Sequence, residues 1–278
     1  MLSMIGVGDN TVDCYLHLGK MFPGGNAVNV PVLAHRYGAT ASYIGWLAND
    51  MRGNLLKSSL EAEGIDLSHC RMVEGENAFC QVNIVEGNRV FGQYSEGVCA
   101  QINLTKADYN FISKHDLVHT SLYSFIEPFL PTLKTATKKV SFDFTSDWDQ
   151  DYLQKYAKFV DIAIFSSKTE HLQENGHLMK WIAEQGTDIV LFTGGDQGAL
   201  LYDGQSFFQQ PIIPIANVVD TLGAGDAFIA RFLVEYLNCS PIPKALELAA
   251  VSAAETCGYH GAFGYGAPIT DFHPAGEN

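Results

Sequence analysis

The chain has 278 residues, 47% of them hydrophobic, which is enough for a sizeable core and too apolar for a disordered chain. Acids outnumber bases 31 to 17, and the net charge of −14 leaves no basic footprint for nucleic acid or an anionic membrane. An anionic cofactor stays admissible, because backbone N–H groups at a helix start can hold one without a basic side chain.

The length suits one large α/β domain, with or without a small appendage. No apolar run approaches the roughly 20 residues of a membrane helix. The N-terminal MLSMIGVGDNTVD has no basic start and carries acids early, so a cytoplasmic location is expected. The six cysteines form no C-x-x-C pair and no zinc-like cluster, and reduced, mostly buried thiols are expected.

In chain order, residues 3–8 read as a strand, and 26–37 as a helix closed by Gly38. Residues 41–45 are strand-like, and 50–63 helical up to Gly64. The runs 78–85 and 89–94 are β-prone and joined by Glu86-Gly87-Asn88, a hairpin signal. That hairpin is either a lid over a cleft or an edge of the main sheet. Further strands are expected at 117–120, 140–144, 160–165 and 188–193, with helical composition over 172–185. Two helices follow, near 225–237 and 242–257. In the first, Ala230, Leu233, Val234 and Leu237 form one apolar stripe. Alternating strands and helices imply a mostly parallel sheet covered on both faces. The tail, 264–278, is expected to be irregular.

Four segments could carry chemistry. In Asp220-Thr221-Leu222-Gly223-Ala224-Gly225-Asp226, small residues precede a helix start, where converging N–H groups and the helix dipole make an anion hole. Asp226, in the first turn, could take the proton of an attacking hydroxyl. The same pattern is also an ordinary capped helix start. Gly24-Gly25-Asn26-Ala27-Val28-Asn29 permits close backbone approach to a ligand, with Asn29 one turn on, or is simply a tight strand–helix turn. Gly8-Asp9-Asn10-Thr11-Val12-Asp13 ends the first strand, where open α/β sheets bind ligands, or is a polar turn. Thr193-Gly194-Gly195-Asp196-Gln197-Gly198 could admit nucleotide, or is a β-turn. No G-x-x-x-x-G-K-[ST] loop occurs. Gly6-Val7-Gly8 starts a dinucleotide-like pattern, but Thr11 stands where its last glycine belongs.

In this order the four segments resemble the ribokinase-like (PfkB) carbohydrate kinases, from Gly8 to about Phe263. Gly45, Asp50 and Gly53 match a further turn of that family. The resemblance implies a three-layer α/β sandwich over residues 1–263, with a small β lid from about 11–20 and 76–96. It implies ATP-dependent phosphorylation of a sugar hydroxyl, with Mg²⁺ and in some members K⁺. By the same resemblance, Asp226 is the catalytic base and the amides of Gly223, Ala224 and Gly225 are the anion hole. Asp9, Asp13, Gly25 and Asn29 are expected at the substrate, and Thr193, Gly195, Gly198 and Gly225 at the nucleotide. Glu170 would help place Mg²⁺ through water, Asp220 would serve a monovalent cation, and the lid would also form a homodimer contact.

Within the family, the strings GDNTVDCY, GGNAVNV, RVFGQYSEGV, SFDFTSDWD and YHGAF resemble the bacterial fructoselysine 6-kinase branch. That implies a fructose-amino acid phosphorylated on O6, with Arg89 and Glu96 of the lid near its charged part. Other sugar, nucleoside or vitamin kinases of the same fold are the alternative, followed by a non-catalytic sugar-binding module. Four residues depart from the family pattern: Ser167 replaces the Asn of N-x-x-E, Pro31 falls in the first helix and should bend it, Arg231 replaces a small residue, and Ala48 replaces a glycine.

Overall fold

Eight strands hydrogen-bond into one sheet in the computed structural model, which describes residues 1–85 and 88–269, and their side chains except at 84, 85 and 88–90. In chain order the elements begin with β1 (Ser3–Val7), β2 (Thr11–Tyr15), β3 (Lys20–Gly24), α1 (Asn26–Arg36), β4 (Thr40–Ile44), β5 (Trp46–Ala48) and α2 (Met51–Ala62). Next come β6 (Arg71–Val73), β7 (Phe79–Val85), β8 (Asn88–Ser95), α3 (Lys106–Ile112), β9 (Leu117–Ser121), α4 (Leu130–Ala136), β10 (Val140–Asp143) and α5 (Gln150–Tyr156). The chain continues through β11 (Ile162–Ser166), α6 (Gly176–Glu184), β12 (Ile189–Thr193), β13 (Ala199–Tyr202) and β14 (Phe207–Gln210). It closes with α7 (Ala224–Leu237), α8 (Ile242–Thr256) and β15 (Ala267–Pro268).

The main sheet runs β14-β13-β12-β11-β10-β9-β1-β4. It is parallel from β12 to β4, and β13 and β14 join it antiparallel. Side chains alternate between two cores, as the two-residue period of a strand requires. Ile162, Ile164, Ile189 and Leu191 pack with α1, α7 and α8 on one face. Ala163, Phe165, Val190 and Phe192 pack with α3 to α6 on the other. The result is the expected α/β sandwich. The short helices α3, α4 and α5 and the hairpin β13–β14 are additional to the elements expected from sequence, although Thr105 and Asp108 form a capping box that opens α3.

Pro31 does not interrupt α1, which runs unbroken from Asn26 to Arg36. A proline at 31 has no N–H to give to the carbonyl of Ala27, four residues back. That carbonyl lies against Gly6, where a Cβ would come within 1.9 Å of it. The missing side chain on β1 makes room for that carbonyl and for the proline ring, whose Cγ a Cβ at Gly6 would approach to 2.8 Å.

A second sheet of five strands, β15-β3-β2-β7-β8, stands apart from the main one. The hairpin of β7 and β8 belongs here, so it is not an edge of the main sheet. The turn residues Glu86 and Gly87 lie outside the described residues. This sheet is larger than the sequence suggested, since β3 extends it to Gly24. The tail is not wholly irregular either: Ala267 and Pro268 pair with Met21 and Lys20 in β3. The rest of the tail expected to be irregular, residues 270–278, lies outside the described residues.

Candidate active site

Helices α1 and α7 both begin at the carboxyl edge of the main sheet, and their first turns face each other. Gly25 precedes α1 at φ 105°, a conformation that side chains disfavour, and a Cβ there would come within 2.6 Å of Asn10. Asp9 fastens this turn. Its carboxylate accepts from the N–H of Asn26 (2.7 Å) and Ala27 (3.2 Å) and from the hydroxyls of Ser121 (2.8 Å) and Ser124 (2.7 Å). Both oxygens of Asp9 are thus committed within the protein, at the position where a helix start favours negative charge.

Asp226 lies in the first turn of α7, after Gly223 at φ 80°, and no side chain caps this helix. Its Oδ2 accepts from Asn29 Nδ2 (2.6 Å), and its Oδ1 accepts from Asn26 Nδ2 (2.8 Å). The same Asn26 amide donates to Asp143 at the end of β10 (3.0 Å). On its other side Asn26 Oδ1 meets His119 Nε2 on β9 (2.8 Å), and His119 Nδ1 meets the Ser141 hydroxyl (3.1 Å). Burial, opposed by the two asparagine amides, pushes the Asp226 carboxyl up to about 6. Burial, with Asp226 and Asp9 nearby, pushes Asp143 up to about 7. Burial alone drives His119 down to about 3, so its ring is neutral. Asn29 is buried, and its Oδ1 has no hydrogen-bond partner. A buried acceptor left open beside a carboxylate suits a ligand hydroxyl.

Asp13 reaches this region from β2, buried, with its carboxylate over Gly24, where a Cβ would come within 2.6 Å of it. Two residues on, Tyr15 donates its hydroxyl to Asp220. Asp220 Oδ1 also accepts from the N–H of Leu222 (3.0 Å), and Oδ2 from that of Gly261 (3.2 Å). The carboxylate therefore ties the second sheet to the loop that leads into α7. In that loop the Ala224 N–H closes a turn onto the Thr221 carbonyl at 3.3 Å.

On the far side of Gly225 opens a cavity of about 640 Å³. Thr193, Gly195, Gly198, Ala224 and Gly225 line it, and a Cβ on Gly225 would meet nothing within 4 Å. The predicted nucleotide residues and the helix start thus share one space. Ile212, Ile213, Ile215 and Val218 form its apolar wall, opposite Ala250, Ala253 and Ala254 of α8. From sequence alone this Ile-rich segment, between β14 and α7, reads as core, and the fold leaves it exposed.

Other expected residues stand further out. Glu170 is exposed in the turn after β11. There Ser167 and Thr169 share a hydroxyl contact (3.0 Å), and Asn175 Nδ2 donates to both. Glu96 is exposed at the foot of β8. The side chain of Arg89 lies outside those described. Arg231 pairs with Glu235 (2.9 Å) and lies 5.0 Å from the ring centre of Tyr37, beyond the C-terminal end of α1. It therefore neither clashes with nor reaches toward the first turn of α1. Ala48 is buried in β5 without a positive φ, so no glycine is required there.

Asn26, His119 and Asp143 are the site members that sequence reading missed. Asn26 lay inside the glycine-asparagine segment, between two residues that were chosen. Asp143 ends β10, and the strand-end rule that flagged Asp9 would have found it, whereas His119 sits in the middle of β9, where nothing local marks it.

No helix among the described residues is long and apolar enough to cross a membrane. The chain is similar to the fructosamine kinase FrlD of Bacillus subtilis (strain 168), 42% identical over 96% of this chain and 95% of that one. It is also similar to the fructoselysine 6-kinase of Escherichia coli (strain K12), 39% identical over 95% of this chain and all of the relative. Among solved structures, Arabidopsis thaliana ribokinase complexed with ribose and ATP superposes with a TM-score of 0.79 at 21% identity, covering 94% of each chain. A family model described as pfkB family carbohydrate kinase matches residues 9–268. With its Asp-bearing helix start set between a polar pocket and a nucleotide-sized cavity, the chain belongs to the pfkB family of carbohydrate kinases and is an ATP-dependent sugar kinase.

Proposed function

We propose that this kinase phosphorylates O6 of a fructose-amino acid, fructoselysine above all, with Asp226 as the base. The observation that carries the chemistry is the Asp226 carboxylate at an uncapped helix start, held by two asparagine amides and flanked by the nucleotide cavity. A sugar hydroxyl placed at Asp226 gives up its proton there as its oxygen attacks the terminal phosphorus, and ADP leaves with the electrons of the broken P–O bond. The N–H groups of Gly223, Ala224 and Gly225 are assigned to the transferring phosphoryl group, aided by the positive end of α7. Of these, the Ala224 N–H must give up its long turn bond to take part.

For the sugar we assign Asp13, Gly25 and the open Oδ1 of Asn29. Asp9 acts one step back, holding the turn that presents them. Thr193, Gly195, Gly198 and Gly225 are assigned to ATP. The choice of a fructose-amino acid rests on the two relatives near 40% identity, whose names specify fructosamine and fructoselysine. Glu96 and Arg89 are assigned to its charged amino-acid part, with the second sheet as a lid that excludes water. Phe91 and Tyr94, exposed on β8, support a homodimer contact through that lid.

Mg²⁺ bound with ATP supplies neutralisation of phosphate charge. Glu170, exposed and carried on a turn knitted by Ser167, Thr169 and Asn175, fits an ion held mainly by phosphates and water. K⁺ at Asp220 fits less well, because its carboxylate already accepts from Tyr15, Leu222 and Gly261. A cytoplasmic location is supported by six free cysteines.

The test is ATP consumption over fructose, ribose, nucleosides and fructose-amino acids, with product phosphate position read by NMR. A kcat/KM for fructoselysine about 5- to 150-fold above that for fructose is expected if a desolvated charge pair recognises the amine. Equal values reject the fructose-amino acid reading and leave the kinase intact.

A further inference from the structure

Asn26 can help Asp226 only in one orientation of its amide. With Nδ2 toward the carboxylates it gives one hydrogen to Asp226 and one to Asp143. Turned over, it would set its oxygen against both acids. Both acids favour the first orientation, and the group behind the amide, on β9, is placed to hold it there. His119 is fully buried between Asn26 and Ser141, also fully buried. Because Nδ2 faces the acids, Oδ1 must accept, so His119 carries its hydrogen on Nε2. Its Nδ1 then accepts from the Ser141 hydroxyl, which can turn to donate to it and so completes the pairing of the buried ring.

We propose that His119, held by Ser141, is the positioning residue that locks the Asn26 amide and through it sets the orientation of the Asp226 carboxylate. The inference rests on Asp226 being the base. His119 touches neither acid. The groups facing Asp226 are Asn26 and Asn29 from α1, Asp9 beyond them and Asp143 across the shared amide. Without His119 the buried Oδ1 of Asn26 is left unpaired and the amide tilts away, so Asp226 loses a well-aimed donor that favours its charged form. Its affinity for protons rises while its aim worsens.

The test compares His119→Leu, which cannot donate, with His119→Gln, whose amide N–H can reach Asn26 Oδ1. His119→Leu is expected to lower kcat about ten-fold with sugar KM changed less than about three-fold, and to move the acid limb of kcat/KM to higher pH. His119→Gln should recover most of both. In an Asn26→Ala background, His119→Leu should add nothing, because its effect runs through that amide. Equal behaviour of the Leu and Gln variants with an unmoved acid limb, or additive losses in the double variant, overturns the proposal. Should His119→Leu fail to fold, Ser141→Ala, which removes the partner of His119 Nδ1 and loosens the ring, carries the same pH-profile test. Asp226→Asn separates the two readings. If it retains kcat, the base assignment falls; if it is inactive while His119→Leu is silent, only the positioning role falls.

Discussion

The two edges of the main sheet treat carboxylates in opposite ways. At the amino edge, Asp116, Asp161 and Asp188 pair with Lys138, Lys134 and Lys139. There the Lys138 ammonium holds the Asp116 carboxyl down at about 2. At the carboxyl edge, Asp143 and Asp226 have no ion pair among the described residues, only amide and N–H donors, and burial lifts them to about 7 and about 6. Same residue type, same sheet: one edge spends charge on surface pairing, and the other stores poorly solvated acids where a proton must be taken. The comparison teaches that the site is built against local stability, a common condition for a base that has to work near neutral pH.

The sharpest way to break this contrast is Asp226→Asn, which keeps shape and removes the basic charge. A fall in kcat of about 10²–10⁴-fold is expected, with ATP still bound. Steady-state kinetics and nucleotide titration check it, and a near-normal kcat would place the base elsewhere.

The acid limb of kcat/KM measures the carboxyl edge directly. Asp226 must be ionised to accept a proton, so activity should rise as pH climbs through about 6 and level off above it. A limb near 4 would mean that burial does not lift this carboxyl.

Asp143→Asn probes the stability cost. An acid whose folded pKa is raised contributes stability at low pH and loses it as pH rises through about 7. The variant should therefore melt higher than the parent at pH 8, by a few degrees or about 1–2 kcal/mol, and not at pH 4. A lower melting point at pH 8 would show that the charged form is well compensated.

The smallest effect belongs to the amino edge. Lys138→Ala should cost no more than about 1 kcal/mol at neutral pH, because the lysine is mostly exposed and its pair is screened. The loss should shrink as Asp116 is protonated between about pH 4 and pH 2, where the paired form already loses its advantage. Thermal melts at both pH values check it.

The sequence by itself determined the alternation of strand and helix, the parallel sheet, and the segments around Gly25, Thr193 and Asp226, because periodicity and glycine-rich helix starts are local properties. It also determined that Asp226 occupies the first turn of its helix. Only the tertiary structure decided that Asp9 serves the protein's own N–H groups, that Pro31 sits against the bare Gly6, and that Ile212 to Val218 wall a cavity. It alone brought His119 and Asp143 to Asn26, across 93 and 117 residues. The physical reason is that a hydrogen bond between distant segments leaves no periodic trace. Whether a buried His or Asp is a core defect or part of a site depends on which neighbours the sheet order sets beside it.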